Sequence, residues 1–377
     1  MDTVDAAGLP IGDGHPTRIM GVLNVSAESP YDPSVYDDPA AAAAYVDGEL
    51  IDEGADIVDV GLESANKRFD VLSADQELER LDVAVEAIES VSGDAVFSIE
   101  TRYHEVAAAA LDRGFDMVND ICGFADREMP RICADYDAAV VKMASPPDLE
   151  RPGAVETVDE IYSALERGCL TDKTIVDPAF GGWSEAKTLE HDRETLHRLR
   201  EFRALGRPIL VSINRKNFLR DLAGRETDAA LPVSLAATSM AVERGAHVVR
   251  THDVGETRDA AIVGDAFTRQ RLADEATGVA ELDVTTAAEL ERHLDVHDGG
   301  AADPCVAVGA AFSLDDLSPS DRAGLDDVTA DRQVLCVGAG SSVVLAGPRA
   351  ELRSLPEPTD GSASLRRALG QVRRACR

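Results

Sequence analysis

Lysine is scarce in this chain. Lys67, Lys142, Lys173, Lys187 and Lys216 are the only lysines among 37 basic residues, which face 70 acidic ones. The resulting formal charge of −33 is spread over both halves rather than gathered in a tail, which argues against nucleic acid as a partner. An acidic, lysine-poor surface suits concentrated salt, where screening over a few ångströms removes self-repulsion, so a salt-loving source is expected. No uninterrupted apolar run approaches the roughly 20 residues of a membrane span. The chain also lacks a basic segment followed by an apolar one at its start, and the expectation is a cytoplasmic protein without membrane contact. The six cysteines, Cys122, Cys133, Cys169, Cys305, Cys336 and Cys376, form no CxxC pair and no regular spacing, so reduced thiols are expected rather than a zinc site or a disulfide framework. His293 and His297 stand four apart, as helical metal ligands do. No glutamate follows the first, however, and Asp298-Gly299-Gly300 ends the helix, so no metal is expected there.

At 377 residues the chain exceeds one domain of ordinary size, and a barrel of about 250 residues would leave roughly a hundred for a second. From Arg18 to about Leu272 short apolar strands alternate with longer amphipathic segments. Strands are predicted at Arg18–Asn24, Asp56–Val60, Val96–Ile99, Met117–Asn119, Ala138–Met143, Thr174–Asp177, Pro208–Ser212 and Val248–Thr251. Between the second and third, Ser73 with Gln76 makes a capping box, and Leu78, Leu81, Val85 and Ile88 fall on one helical face. Glu53-Gly54-Ala55-Asp56, Arg113-Gly114-Phe115-Asp116 and Arg244-Gly245-Ala246-His247 each end a helix with the glycine that a left-handed cap requires. Eight such units, with no GxGxxG after the first strand, point to an α/β chain whose residues 17–272 form a (β/α)8 TIM barrel rather than a doubly wound sheet. Residues 1–16 form an N-terminal segment. Beyond about Asp274 the period breaks, and residues 278–377 are expected to form a smaller α/β domain with no legible role. Its predicted strands are Cys305–Ala310, Gln333–Val337 and Ser342–Ala346, its helices Thr286–Leu294 and Leu365–Ala375, and Gly338-Ala339-Gly340 is a hairpin turn.

Functional groups of such a barrel gather where strands end and loops begin. The predicted strand ends supply Asn24, Asp59 with Glu63, Glu100, Asn119, Asp177, the Asn214-Arg215-Lys216 triplet, and Arg250 with His252. Any one of them could be a helix cap. Seven strands of the eight ending in polar residues indicate a site. Met20-Gly21-Val22-Leu23-Asn24-Val25-Ser26 resembles the opening strand of the dihydropteroate synthases, and Gly54-Ala55-Asp56-Ile57-Val58-Asp59-Val60-Gly61 with Glu63-Ser64 resembles their second. Ser98-Ile99-Glu100-Thr101, Asn119-Asp120, Asp177-Pro178, Lys187-Thr188-Leu189-Glu190-His191, Asn214-Arg215-Lys216 and Arg250-Thr251-His252-Asp253-Val254 continue the series in order. It runs from about Arg18 to Arg271 and is similar to that family and, more broadly, to pterin-binding barrels.

The resemblance implies a transferase that joins 6-hydroxymethyl-7,8-dihydropterin diphosphate to p-aminobenzoate or a related aryl amine, releasing diphosphate, in folate-type biosynthesis. It implies Mg²⁺ and diphosphate at Asn24, a diphosphate clasp at Arg250 and His252, and pterin contacts at Asn119, Asp177 and Lys216, with Glu100 where the family has aspartate. Asn24, Lys216, Arg250 and His252 are then the catalytic set, and a homodimer is expected. Each assignment has a structural alternative: a hydrogen bond from Asn24 to its loop, a pair between Arg250 and a barrel carboxylate, and a buried ion pair between Lys216 and Asp177.

Three loops depart from the family. Val25-Ser26-Ala27-Glu28-Ser29-Pro30-Tyr31-Asp32 replaces a Thr-Pro-Asp-Ser-Phe pattern, and Ala65-Asn66-Lys67-Arg68 replaces Thr-Arg-Pro-Gly. The loop after Asp177-Pro178 lacks a Gly-Phe-Gly-Lys run and is longer around Phe180, Gly181, Gly182 and Trp183. Arg68, with its two-pronged guanidinium, is the expected substitute for the lost arginine beside the amine and diphosphate. Trp183, the single tryptophan, either stacks on the pterin or anchors its loop. Two other functions suit a pterin barrel. One is methyl transfer from a methylated reduced pterin to a corrinoid protein, which needs no diphosphate clasp, and the other is pterin binding without catalysis.

Overall fold

A computed structural model describes residues 2–25, 34–36, 38–63, 71–181, 184, 186–296, 309–330, 332–338, 340–358 and 362–377. The chain divides into two compact units, Met1–Leu199 with Gly206–Thr268, and Arg200–Leu205 with Arg269–Arg377.

Strands that read as continuous apolar runs need cover on both faces, which a parallel sheet surrounded by helices provides. In the first unit a short hairpin, β1 (Val4–Ala6) and β2 (Leu9–Ile11), precedes eight strands. These are β3 (Arg18–Asn24), β4 (Ile57–Gly61), β5 (Val96–Thr101), β6 (Met117–Asp120), β7 (Ala139–Met143), β8 (Thr174–Asp177), β9 (Leu210–Val211) and β10 (Val248–Thr251). Their order is β8-β7-β6-β5-β4-β3-β10-β9, every pairing is parallel, and a Val176–Ile209 bridge joins the ends. The sheet therefore closes into the (β/α)8 barrel. β9 is shorter than Pro208–Ser212. Pro208 has no N–H for the ladder, and the N–H of Ile209 donates to the His247 ring instead.

Local signals act as read. Ser73 caps helix Ala74–Ser90 with Gln76 closing the box, and Gly54, Gly114 and Gly245 take φ of +102°, +101° and +98° at the helix stops. The last barrel helix, Val254–Phe267, ends short of Leu272, because Thr268 turns extended and its hydroxyl donates to the Gly264 carbonyl. The N-terminal hairpin has a specific task. Val4, Ala6 and Ile11 pack on Met20, Ile57, Val96, Met117, Leu210 and Val248, near the strand starts. At about 1.5–3 kcal/mol for each buried aliphatic side chain, this plug is firmly held. It closes one end of the barrel and leaves the carboxyl ends of the strands as the open mouth.

The second unit is an antiparallel sheet of β11 (Ala273–Asp274), β12 (Val279–Glu281), β13 (Ala310–Leu314), β14 (Leu335–Val337) and β15 (Val343–Gly347), ordered β11-β12-β13-β15-β14. Alternation along β13 puts Ala310, Phe312 and Leu314 against helices Pro319–Thr329 and Ala363–Ala375, and Ala311 against helix Ala287–Val296. β14 and β15 form the expected hairpin, with Gly338 and Gly340 at positive φ; Ala339 lies outside the described residues. The strand expected at Cys305–Ala310 begins at Ala310 and runs on to Leu314, and residues 305–308 lie outside the described residues. His297 does too, so the His293–His297 pair has no geometry to report. Among the described residues no helix is long and apolar enough to cross a membrane.

Candidate active site

Parallel register aligns Asn24, Gly61, Glu100 and Asn119 in one row across β3, β4, β5 and β6, with Asp59 and Ser98 paired two residues earlier. Residues two apart share a face of the sheet, so both rows belong to the mouth. Arg250 crosses it from β10. Its Nε donates to Asp59 Oδ2 at 2.7 Å and its Nη2 to Glu100 Oε2 at 2.7 Å, while Asn119 Nδ2 donates to the same Asp59 oxygen at 2.9 Å. Burial pushes the Glu100 carboxyl above its ordinary range; Arg250 draws it back, and Asp59 and Glu63 push it up again. Two buried groups of this layer, Asp59 Oδ1 and Ser98 Oγ, have no hydrogen-bond partner among the described residues. An unsatisfied buried acceptor costs about 1–3 kcal/mol, so both are places where a ligand's polar edge would be stabilised.

The opposite wall begins with Asp177 at the end of β8. Its Oδ1 accepts from Ala179 N at 2.7 Å, a tight turn that holds Ala179 at φ +60°. Burial raises the Asp177 carboxyl to about 6, against the pull of that N–H and of Lys216, Arg250 and Lys187. Lys187 braces the loop, donating to the Ala179 carbonyl at 2.6 Å and pairing with Asp192 at 3.5 Å. The Asn214-Arg215-Lys216 triplet divides its work. Asn214 and Arg215 both bind Asp253, Arg215 with a two-pronged grip at 2.9 and 2.8 Å, and Arg215 sits at φ +50°. Lys216 is half-buried, and among the described residues its ammonium makes no hydrogen bond or ion pair. The alternative of a direct Lys216–Asp177 pair is thus not formed. Burial lowers the Lys216 pKa and the Asp177 charge opposes that. His252 is half-buried, and burial together with the Arg250 charge depresses it to about 3, so its ring is neutral at working pH.

Asn24 donates from Nδ2 to Ser34 Oγ at 2.9 Å, and its Oδ1 lies 2.9 Å from where a Cβ on Gly61 would stand. Gly61 therefore makes room for that carbonyl oxygen. For Asn24 and Arg250 the structure shows the loop hydrogen bond and the carboxylate pairs named as alternatives, and both residues still belong to the mouth. Arg68, Lys67 and Trp183 lie outside the described residues.

Sequence reasoning missed Arg102, which follows β5 and is fully buried. Its Nη2 donates to Glu63 Oε2 at 2.5 Å and its Nη1 to the Leu149 carbonyl at 2.6 Å. An arginine just past a strand reads as a surface residue, and nothing local distinguishes it. Asp120, raised by burial to about 7, accepts from the N–H groups of Cys122 and Phe124 and shapes the turn after β6.

A model of the pterin binding enzyme family matches residues 20–252, from β3 through the end of β10. The chain belongs to that family. It is 36% identical over 266 residues to a probable bifunctional folylpolyglutamate synthase/dihydropteroate synthase of Halobacterium salinarum, a match covering 67% of this chain and 32% of that protein. The chain thus spans about a third of the length of such bifunctional relatives. It is 31% identical to the dihydropteroate synthase of Clostridium beijerinckii, covering 68% of this chain and 96% of the relative. The crystal structure of a dihydropteroate synthase from Thermus thermophilus in complex with 4-aminobenzoate superposes with a TM-score of 0.58 at 31% identity, over 70% of this chain and 99% of that one.

Proposed function

We propose that the chain is a dihydropteroate synthase, joining the methylene carbon of 6-hydroxymethyl-7,8-dihydropterin diphosphate to the nitrogen of p-aminobenzoate or a related aryl amine. The observation that carries this reading is a mouth with, among the described residues, unsatisfied acceptors on one side, Asp59 Oδ1 and Ser98 Oγ, and an unpaired ammonium, Lys216, beside Asp177 on the other. A pterin offers an amide N–H and an exocyclic amine along one edge, which carboxylates of Asp177 and Asp59 accept, while Asn119 and Lys216 answer its acceptors. Glu100 keeps Arg250 in place, with Nε and Nη2 engaged and Nη1 left for an anion. In the reaction the amine nitrogen attacks the methylene, the carbon–oxygen bond to diphosphate breaks with its electron pair, and the amine gives up a proton. Charge gathers on the leaving group, where Arg250 and the neutral N–H of His252 stabilise it. Arg68 adds a second cation to this side in the same reading. Asn24 suits Mg²⁺, because its Nδ2 is fixed on Ser34 and its carbonyl oxygen, a hard donor, is left over Gly61. A bound Mg²⁺ would supply positive charge against the diphosphate.

Exposed Met240, Ile262, Val263 and Phe267, on the adjoining helices Leu231–Glu243 and Val254–Phe267, support a homodimer. Free thiols at Cys122, Cys133, Cys169, Cys336 and Cys376 support a reducing cytoplasm, and the acidic excess supports folding in concentrated salt. Diphosphate release is the test, with the full chain, pterin diphosphate, p-aminobenzoate and Mg²⁺ in concentrated KCl. Release that needs the amine, falls with chelator and falls at least a hundredfold in His252→Ala is expected. Absence of amine-dependent release would overturn the activity, and release indifferent to chelator and to His252→Ala would overturn the roles of Asn24 and His252.

A further inference from the structure

Residues 349–377 reverse the charge balance of the chain, with seven arginines against three acidic residues. Helix Ala363–Ala375 sorts them. Leu365, Ala368, Leu369, Val372 and Cys376 are buried in the core of the second unit, so the helix keeps no apolar face for a membrane or a partner helix. On its other face Arg366, Arg367, Arg373 and Arg374, together with Arg353 and Arg377, line a cavity of about 590 Å³. Exposed arginines of the barrel unit such as Arg113 and Arg131 are tied to carboxylates. By contrast, the guanidinium groups of Arg353, Arg366, Arg367 and Arg377 make no hydrogen bond or ion pair among the described residues. Glu357, the one acid in the wall, is taken by Arg373 at 2.8 Å, and Arg373 is locked further by the carbonyls of Leu355 and Leu369.

Gly370 lies amid this face, one turn from its arginines. A helix-interior glycine costs about 0.5–1 kcal/mol relative to alanine, and packing does not require it, since an added Cβ would meet nothing nearer than Arg374 Nη1 at 3.8 Å. What the missing side chain does is keep the floor of the cavity open.

We propose that this cavity binds a short chain of closely spaced anionic groups, a polyphosphate or a polycarboxylate, either of which guanidinium forks match. The helix rises about 12 Å from Arg366 to Arg374, a length that suits several linked charges better than one phosphate. No aromatic side chain lines the cavity, so single-stranded bases find no stacking platform. The acidic remainder of the chain repels a duplex.

Calorimetric titration of the full chain with sodium tripolyphosphate and, separately, with penta-L-glutamate tests this, in KCl sufficient to keep the chain folded. Saturable one-to-one binding of at least one probe is expected, weakened tenfold or more in Arg366→Glu/Arg367→Glu. Gly370→Leu fills the floor without altering charge and is expected to weaken binding similarly. A barrel-unit double variant with the same charge change, Arg113→Glu/Arg131→Glu, is expected to bind like the parent. Tripolyphosphate alone binding identifies phosphate as the group, and penta-glutamate alone identifies carboxylate. The proposal is overturned if neither probe saturates, if the groove variants bind like the parent, if the barrel-unit variant loses as much affinity as the groove pair, or if a duplex oligonucleotide binds more tightly than both probes.

Discussion

Around the barrel mouth, Arg102 and Arg250 lie withdrawn from water and are held by carboxylates at 2.5–2.7 Å, Arg102 by Glu63 and Arg250 by Asp59 and Glu100, whereas the guanidinium groups of Arg353, Arg366, Arg367 and Arg377 of the second unit stand exposed without partners among the described residues. Desolvation explains the difference. Withdrawing a guanidinium from water costs several kcal/mol unless charge and hydrogen bonds compensate it, and an exposed one incurs no such penalty. Compensation in the mouth fixes geometry before any ligand arrives. Lack of it in the groove leaves cations whose strongest partner has yet to bind. Removing an arginine should therefore damage folding and chemistry in the first place, and only binding in the second.

The sharpest break is Arg250→Ala, which leaves Asp59 and Glu100 facing each other as uncompensated carboxylates. A stability loss of about 3–5 kcal/mol is expected, with turnover lower by at least a hundredfold. Arg366→Ala should change stability by less than about 0.5 kcal/mol. Denaturant unfolding of both variants in the same salt makes the comparison, and equal losses would mean that burial does not separate the two places.

Glu77 tests the same principle with the sign reversed, since it is a buried carboxyl without a full counter-charge. Burial raises it to about 7, although the Thr101 hydroxyl donates to it at 2.5 Å and Arg102 pulls it down. A folded-state pKa above the ordinary value near 4.5 means that the group favours the fold below pH 4.5 and that this contribution is lost as pH rises through 7. Glu77→Gln has no proton to lose, so it should gain on the parent between pH 5 and 8, by up to about 3 kcal/mol. Unfolding midpoints at the two pH values measure this, and parallel pH profiles would show Glu77 to be ordinary.

Asp177→Asn belongs to the same mouth, and in the proposed reading it removes a pterin contact while the residue's bond from Ala179 N can be kept through its amide oxygen. One pterin N–H would lose its acceptor, lowering pterin affinity by about 1–3 kcal/mol with the fold intact. Because Asp177 is raised to about 6, the parent should bind pterin less well as pH falls through 6, and the variant should bind evenly across that range. His252, held near 3, adds no limb of its own. Calorimetry from pH 5 to 8 decides it, with equal affinities at every pH counting against the assignment.

What the sequence revealed follows the same division. The eight strands and the residues that end them were legible because apolar runs, glycine stops and polar strand ends are local patterns. Hairpin β1–β2 was not, since two three-residue strands carry no periodicity and only their burial in the barrel floor explains them. Helix Pro319–Thr329 was missed because its capping box is closed by Asp321 where glutamate or glutamine is the usual signal. Arg102 acts through Glu63 and the Leu149 carbonyl, both distant in sequence. The groove was hidden for a different reason, since Arg366, Arg367, Arg373 and Arg374 look like any solvated helix face until Arg353 and Arg377 enclose the same space.

Two glycines give the smallest and most selective comparison. Gly61 is in β4, where a Cβ would stand 2.9 Å from Asn24 Oδ1, and Gly370 is in helix Ala363–Ala375, where the nearest atom to a Cβ is 3.8 Å away. Neither has a positive φ, so sterics alone separate them. Gly61→Ala must push the Asn24 amide off Ser34 Oγ, and it is expected to weaken the Mg²⁺ dependence of turnover while costing about 1 kcal/mol of stability. Gly370→Ala strains nothing and removes the backbone freedom of a glycine in the unfolded chain, so it should raise stability by about 0.5–1 kcal/mol and leave turnover unchanged. Thermal unfolding and Mg²⁺ titration of diphosphate release in the two variants make the test. If Gly370→Ala destabilised the chain, the groove floor would be packed rather than open. Parent-like Mg²⁺ dependence in Gly61→Ala would show that the position of the Asn24 carbonyl oxygen does not govern the leaving group.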